Sequence, residues 1–177
     1  MALTCRRLQS FGVIFDPEAW LDLNKVIDVS HRELIYQGTV HGFDRASLKP
    51  RCTKKSPTIV LFKLSFGAVI GGYTSIPWVL DGGYQHDPTA FLLYHAVGGH
   101  LQTLPLDQPG HTSHSSTSSY FAFGGNHCVQ ISLTGTGAML CLDKSELGHL
   151  GIGKEVSASE FEIWHLHKPS SGNAENQ

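Results

Sequence analysis

The apolar positions near the N-terminus of the chain are spaced as in a helix. Residues 16–18 form a typical helix start: a capping acid, a proline at the first helical position and an acid in the first turn. Trp20, Leu23 and Ile27 follow at helical spacing, so we expect them to face the core. A second, shorter helix is predicted over residues 44–50.

From residue 58 onwards the pattern changes to that of β-strands. Thr58–Leu64 is apolar at nearly every position, which is typical of a central strand covered on both faces. A turn at residues 65–67 leads back into 68–73 and predicts a hairpin. A second hairpin is predicted from Val129–Leu133 and Ala138–Leu142, which flank a glycine-rich turn. Shorter strands are predicted at 34–36, Phe91–His95 and 161–167.

Strands therefore outnumber helices, and the helices gather near the N-terminus instead of alternating with strands, which argues against a wound βαβ sheet. We predict an α+β, mainly β fold: a two-sheet antiparallel β-sandwich with short flanking helices. The serine- and histidine-rich segment 107–119 is predicted to be a loop. The predicted organisation is an N-terminal segment with a helix packed on the domain (1–29), one domain (30–167) and a disordered polar tail (168–177).

Composition excludes several classes of protein. The 177 residues are 41% hydrophobic and 16% charged, as in one folded domain rather than a disordered chain. The net charge is −2 without a basic cluster, so we expect no binding of nucleic acid.

No apolar stretch follows the arginines near the N-terminus, so we expect neither a signal peptide nor membrane insertion. Four separated cysteines predict reduced thiols and a cytoplasmic protein, with the nucleus or mitochondrion as alternatives.

The glycine-rich segment around Gly72 has the spacing of a phosphate-binding loop. Gly67, Gly72 and Thr74 match the Walker pattern. Tyr73, however, stands where the lysine should be, and Pro77 interrupts the helix whose N-terminus would hold the phosphate. We therefore expect no cofactor here.

Eleven histidines raise the question of a metal site. His165 and His167 would project from the same face of the last predicted strand, and His111 and His114 lie close together in the predicted loop. Two ligands can begin a zinc site, but a third or fourth is needed, and the sequence has no second pair at a recognisable spacing. We predict solvated histidines and no metal site.

No catalytic set of residues is apparent in the sequence. The nearest group of acids leads into the last strand and is predicted to be solvated: Glu155, Glu160 and Glu162. Cys52 is a candidate redox thiol, because Arg51 and two lysines lie close to it and positive charge lowers a thiol pKa. The alternative is a half-buried helix cysteine without redox chemistry.

Two aromatic residues beside the flexible Gly82-Gly83 pair have two interpretations. Trp78 and Tyr84 are either part of the core or exposed anchors for a protein partner. Their exposure in the folded domain distinguishes the two.

Several short motifs follow one another in a characteristic order. They are His41-Gly42-Phe43, Arg51-Cys52, Ser56-Pro57-Thr58, Ile70-Gly71-Gly72-Tyr73-Thr74-Ser75 with Trp78, Asp87 with Ala90-Phe91-Leu92, Phe123-Gly124-Gly125, Leu147-Gly148-His149 and Phe161-Glu162-Ile163-Trp164. In this order they resemble the TLDc domain, the module of oxidation-resistance proteins, over roughly residues 30–167.

The resemblance implies a β-sandwich of two antiparallel sheets with flanking helices, and no settled catalytic activity. It further implies protection against oxidative stress, most plausibly by binding and modulating the vacuolar proton pump, the V-ATPase. Residues 34–43 are most similar to the TLDc-like start of interferon-induced antiviral proteins, so an innate-immunity factor is one alternative. A thiol-dependent peroxide scavenger acting through Cys52 is another.

Overall fold

The structure is a computed structural model that describes residues 12–78, 83–106, 111–115, 120–124, 129–142, 150, 152 and 155–169. Three short helices occur in these ranges: α1 (Pro17–Asn24), α2 (Gly38–His41) and α3 (Arg45–Cys52). The strands are β1 (His31–Gln37), β2 (Thr58–Leu64), β3 (Val69–Thr74), β4 (Gly83–His86), β5 (Phe91–His95), β6 (Leu101–Pro105), β7 (His111–Ser115), β8 (Tyr120–Phe123), β9 (Val129–Leu133), β10 (Ala138–Leu142) and β11 (Glu155–His167). None of these helices has the length and apolar character needed to cross a bilayer.

The strands pair antiparallel in one continuous path that folds back over itself. Its order is β4-β7-β8-β9-β10-β11-β2-β3-β5-β6. The long strand β11 joins the two halves, because it pairs with β2 on one side and with β10 and then β1 on the other. The two halves face each other, since the ring of Phe123 in β8 lies against Gly72 in β3. The predicted mainly β, sandwich-like fold is confirmed, although its two layers share hydrogen bonds through β11.

Two hydrophobic clusters cover opposite faces of the central strand β2. Val60 and Phe62 belong to the larger cluster, between the two halves of the sheet. Ile59 and Leu61 belong to the other cluster, which α1 closes from outside with Trp20. The prediction that β2 is covered on both faces is confirmed, because alternate residues enter different clusters.

Both predicted helices form, and their caps are the ones that the sequence indicates. The side chain of Asp16 caps α1, and that of Asp44 caps α3. α3 continues past Pro50, where we expected it to end, through Cys52. Leu48 and Cys52 lie four residues apart on one helical face and are both buried, which stabilises the additional turn.

The prediction of a loop over 107–119 is wrong for residues 111–115. They form β7 between β4 and β8, and this strand completes the second layer. β11 also begins at Glu155, well before the predicted start of the last strand. In both places neighbouring strands supply a hydrogen-bond ladder that polar residues can join, and sequence periodicity does not report this. The predicted tail, 168–177, lies outside the described residues except for 168–169.

Candidate functional site

A buried carboxylate holds the end of the motif strand β3. Asp87 is fully buried, and its two oxygens accept hydrogen bonds from the hydroxyl of Thr74 (2.7 Å), the N–H (2.6 Å) and hydroxyl (2.9 Å) of Ser75, and the N–H (3.0 Å) and hydroxyl (2.7 Å) of Thr89. Burial raises the pKa of Asp87, but these hydrogen bonds outweigh burial and hold the pKa below its ordinary value. We call these four residues the Asp87 network. Every donor in it is satisfied, so its role is to fix the backbone.

Two glycines of the motif are required by close contacts, Gly71 with the neighbouring strand β2 and Gly72 with the opposite layer. A Cβ on Gly71 would lie 2.4 Å from the carbonyl oxygen of Val60, and a Cβ on Gly72 would lie 2.4 Å from the ring of Phe123. Real Cβ atoms do not approach other atoms this closely, so a larger residue would disturb the pairing of β3 with β2 at Gly71 and would force the two layers apart at Gly72. These glycines therefore serve the packing of the sandwich.

Trp78 belongs to the core. It is 4% exposed, its indole N–H donates to the hydroxyl of Thr58 at 2.8 Å, and its ring meets those of Phe121 and Phe123 edge-on at 4.8 and 5.6 Å. The structure contradicts the interpretation of Trp78 as an exposed partner anchor, because its ring fills the sandwich interior. Only the backbone of Tyr84, in β4, is described; its side chain lies outside the described residues.

Among the remaining motif residues, Tyr73 and Phe91 lie in or against the cluster that α1 covers, which we call the outer cluster, and the others are glycines. Tyr73 stacks on Phe91 with 4.9 Å between ring centroids, on the side covered by α1. Gly124 has a positive φ of 86° after β8, a backbone conformation that favours glycine. Gly125 and Gly148 lie outside the described residues.

Two buried glutamates on β11 contradict the prediction of solvated acids. Glu160 accepts hydrogen bonds from the backbone and hydroxyl of Thr39, and Glu162 accepts from the backbone N–H of Val13 and from the indole of Trp164. They are 5% and 0% exposed. Burial raises the pKa of Glu162, whereas in Glu160 the hydrogen bonds outweigh burial and lower the pKa. Both hold neighbouring segments of chain against the sheet.

The sequence contains a signal for the burial of these two glutamates. Glu160 and Glu162 alternate along β11 with Phe161 and Ile163, which enter the larger cluster. An acid on the other face of a strand that is covered on both sides must find donors inside the fold. Glu155 is exposed, as predicted.

The histidines of β11 meet a glutamate of the neighbouring strand. His165 and His167 project from one face, as predicted, with 4.2 Å between their ring centroids. The pairing of β1 with β11 places Glu33 directly opposite His165. Oε2 of Glu33 lies 3.7 Å from Nδ1 of His165, 3.9 Å from Nε2 of His167 and 3.5 Å from Nζ of Lys55. We call Glu33, His165 and His167 the histidine cluster.

Comparison with models of known protein families identifies the family of this chain. The family model of the TLDc domain matches residues 14–167, which is most of the chain. The chain belongs to the TLDc family. This family is linked to resistance to oxidative stress, and the matched span includes α1. No curated protein sequence matches the chain.

The environment of Cys52 in this TLDc domain opposes the candidate redox role. Cys52 is fully buried, and burial raises its pKa to about 12, against a small opposing effect of Arg51. Consecutive helix residues point about 100° apart, so Arg51 turns outward and its guanidinium donates to the carbonyl of Ser47 at 3.0 Å. The protonated thiol at Cys52 packs in the core and lacks the exposure that peroxide chemistry requires.

Proposed function

We propose that this TLDc domain is a non-enzymatic interaction module that protects against oxidative stress by binding and modulating the V-ATPase. The observation that carries the proposal is the family match over residues 14–167. The family link to oxidative-stress resistance supports the biological role. The pump as partner is the more specific part of the proposal and comes from the resemblance of the ordered motifs.

The motif residues themselves are occupied with holding the fold. Most of the described ones lie in the Asp87 network, the sandwich interior and the outer cluster. We therefore propose a docking surface for the pump elsewhere on the domain. Two turns at one end of the sheet offer exposed apolar side chains of the kind that partner proteins bind.

These two turns lie side by side. Phe66, in the turn between β2 and β3, is 54% exposed, and Val97, in the turn between β5 and β6, is 71% exposed. A Cβ on Gly67 would lie 3.2 Å from a methyl group of Val97, which shows how closely the turns approach. We name Phe66 and Val97 the turn patch and propose it as the surface that docks on a pump subunit.

The experiment is a pull-down with the tagged 177-residue protein from a lysate of its own source, read by mass spectrometry. We expect V-ATPase subunits with the unsubstituted protein and their loss with the double variant Phe66→Ser and Val97→Ser. Val40→Ser is the matched control, because Val40 is 67% exposed but lies in α2 and not in either of the two turns. Recovery of no pump subunit above an unfolded control would overturn the proposed partner.

The alternatives from the sequence have unequal support. The scavenger hypothesis loses its chemical basis with the burial of Cys52. The interferon-type role rests on the resemblance of residues 34–43 and stays a prediction. Induction of the transcript by viral challenge tests it directly.

A further inference from the structure

One nitrogen in the histidine cluster has no hydrogen-bond partner. Nε2 of His165 lies 3.1 Å from the carbonyl oxygen of Ser56, and a carbonyl can only accept, so Nε2 carries the hydrogen. In the neutral ring, Nδ1 then presents a bare lone pair. Among the side chains that the structure describes, this Nδ1 is the one buried nitrogen or oxygen without a hydrogen-bond partner. Burying an unpaired polar atom costs about 1–3 kcal/mol, so its position requires an explanation.

The unpaired nitrogen of His165 lies close to two other possible metal ligands. Oε2 of Glu33 lies 3.7 Å from Nδ1, which is too far for a hydrogen bond. The same oxygen lies 3.9 Å from Nε2 of His167. One ligand atom from each of the three residues lies within 4.8 Å of the other two. Three possible metal-ligand atoms therefore lie close together, around Oε2 of Glu33.

The spacing of these atoms is close to that of a zinc site. Zinc binds imidazole nitrogen and carboxylate oxygen at about 2.0–2.2 Å, which in tetrahedral geometry sets the ligand atoms about 3.3–3.6 Å apart. The observed separations of 3.7 and 3.9 Å from Oε2 of Glu33 exceed this only slightly. A small rotation of the half-exposed Glu33 side chain would close the gap.

We propose that Glu33, His165 and His167 bind one zinc ion, with a fourth position open to water. Two imidazoles and one carboxylate are a ligand set that zinc favours. The carbonyl of Ser56 orients His165 through its other ring nitrogen, as outer partners of metal-binding histidines commonly do. The paired backbones of β1 and β11 hold all three residues, so the site rests on rigid elements.

Lys55 would compete with a metal ion for Glu33. Its ammonium lies 3.5 Å from Oε2 of Glu33, and its side chain is 40% exposed. A flexible, partly solvated lysine can neutralise Glu33 in the metal-free domain and swing into water when zinc binds. Removing the lysine should therefore strengthen zinc binding.

The test is a zinc titration of the full chain after removal of metal by a chelator. With a chromophoric chelator as competitor at neutral pH, we expect one tightly bound equivalent. Glu33→Gln and His165→Ala should each weaken binding about tenfold or more, and Lys55→Met should strengthen it. Cobalt in place of zinc should give the visible absorption bands of a four-coordinate site, which Glu33→Gln removes.

The matched control removes the other histidine pair that the sequence offers. The double variant of His111→Ala and His114→Ala should bind zinc as the unsubstituted protein does. Glu33 is 49% exposed, so Glu33→Gln keeps the test valid if His165→Ala does not fold, and circular dichroism checks both. If the unsubstituted chain binds no zinc, or if Glu33→Gln and His165→Ala both bind it unchanged, the proposal is overturned. Either result leaves the pump-binding experiment unaffected.

Discussion

The Asp87 network and the histidine cluster are both groups of polar side chains in one sheet. They differ in how completely their polar atoms are hydrogen-bonded. In the Asp87 network every oxygen of the carboxylate has donors, including a backbone N–H on each. In the histidine cluster Nδ1 of His165 has none. In the Asp87 network, Ser75 and Thr74 lie 12 and 13 positions before Asp87. The histidine cluster instead joins β1 and β11, which are far apart along the chain.

The difference separates residues that hold the fold from residues available for binding. A satisfied buried carboxylate stabilises the one backbone conformation that brings its donors together. A buried lone pair without a hydrogen-bond donor lowers stability and is available to bind a cation. We therefore expect substitutions in the first group to affect stability and substitutions in the second to affect ligand binding.

The largest effect is expected from Asp87→Asn, which breaks the Asp87 network without changing its shape. One carboxylate oxygen accepts the N–H of Ser75 and the other accepts that of Thr89. An asparagine amide nitrogen must therefore face a backbone donor in either orientation. We expect the free energy of unfolding to fall by about 3 kcal/mol, measured by urea denaturation.

The control for this variant is Thr89→Val, which removes the Thr89 hydroxyl but keeps the carboxylate and both backbone donors. It should cost about 1 kcal/mol. A loss below about 1 kcal/mol in Asp87→Asn would contradict a structural role for the Asp87 network.

Gly72→Ala should have the next largest effect, because it acts on the packing beside the same network. The new methyl group would lie 2.4 Å from the ring of Phe123, and overpacking of this kind costs about 1–3 kcal/mol. Gly137→Ala is the matched control, since its Cβ would meet nothing closer than 3.8 Å. Equal urea midpoints for the two variants would show that the layers separate more easily than the contacts indicate.

The Asp87 network should also make stability depend on acid. The pKa of Asp87 is lowered in the folded protein, so its contribution is fully present above the unfolded pKa of about 3.9 and is lost as the pH falls through the folded value. The stability difference between the unsubstituted protein and Asp87→Asn should therefore be constant near neutral pH and shrink below about pH 4. A difference that stayed constant down to strong acid would contradict an ionised Asp87.

The smallest effect on stability is expected from Glu33→Gln in the histidine cluster. Without metal, the partly exposed ion pair with Lys55 contributes about 0–1 kcal/mol. With zinc at 100 times its dissociation constant, the unsubstituted protein should gain about 2.7 kcal/mol and the variant should gain less. Thermal unfolding with and without zinc measures the stability of each protein. Equal gains with zinc would contradict the contrast between the Asp87 network and the histidine cluster.

Features that depend on neighbouring residues could be predicted from the sequence, whereas features that depend on residues far apart along the chain could not. The helix caps Asp16 and Asp44 and the doubly covered strand β2 were predictable, because caps and periodicity involve neighbouring residues. Strand β7 and the burial of Glu160 were not, because each depends on a segment far away along the chain, β4 for β7 and Thr39 for Glu160. The sequence left two interpretations of Cys52 open for the same reason: its charged neighbours are visible in the sequence, but the core that surrounds it is not.

The sequence by itself determined the family, the mainly β composition of the fold and the common face of His165 and His167, since each follows from motif order or strand alternation. Only the tertiary structure decided that Trp78 fills the sandwich interior and that Glu33 stands opposite His165. The pairing of β1 with β11 and the folding of the sheet over itself are set by burial of apolar surface across the whole chain. Short-range patterns carry no information about that global arrangement.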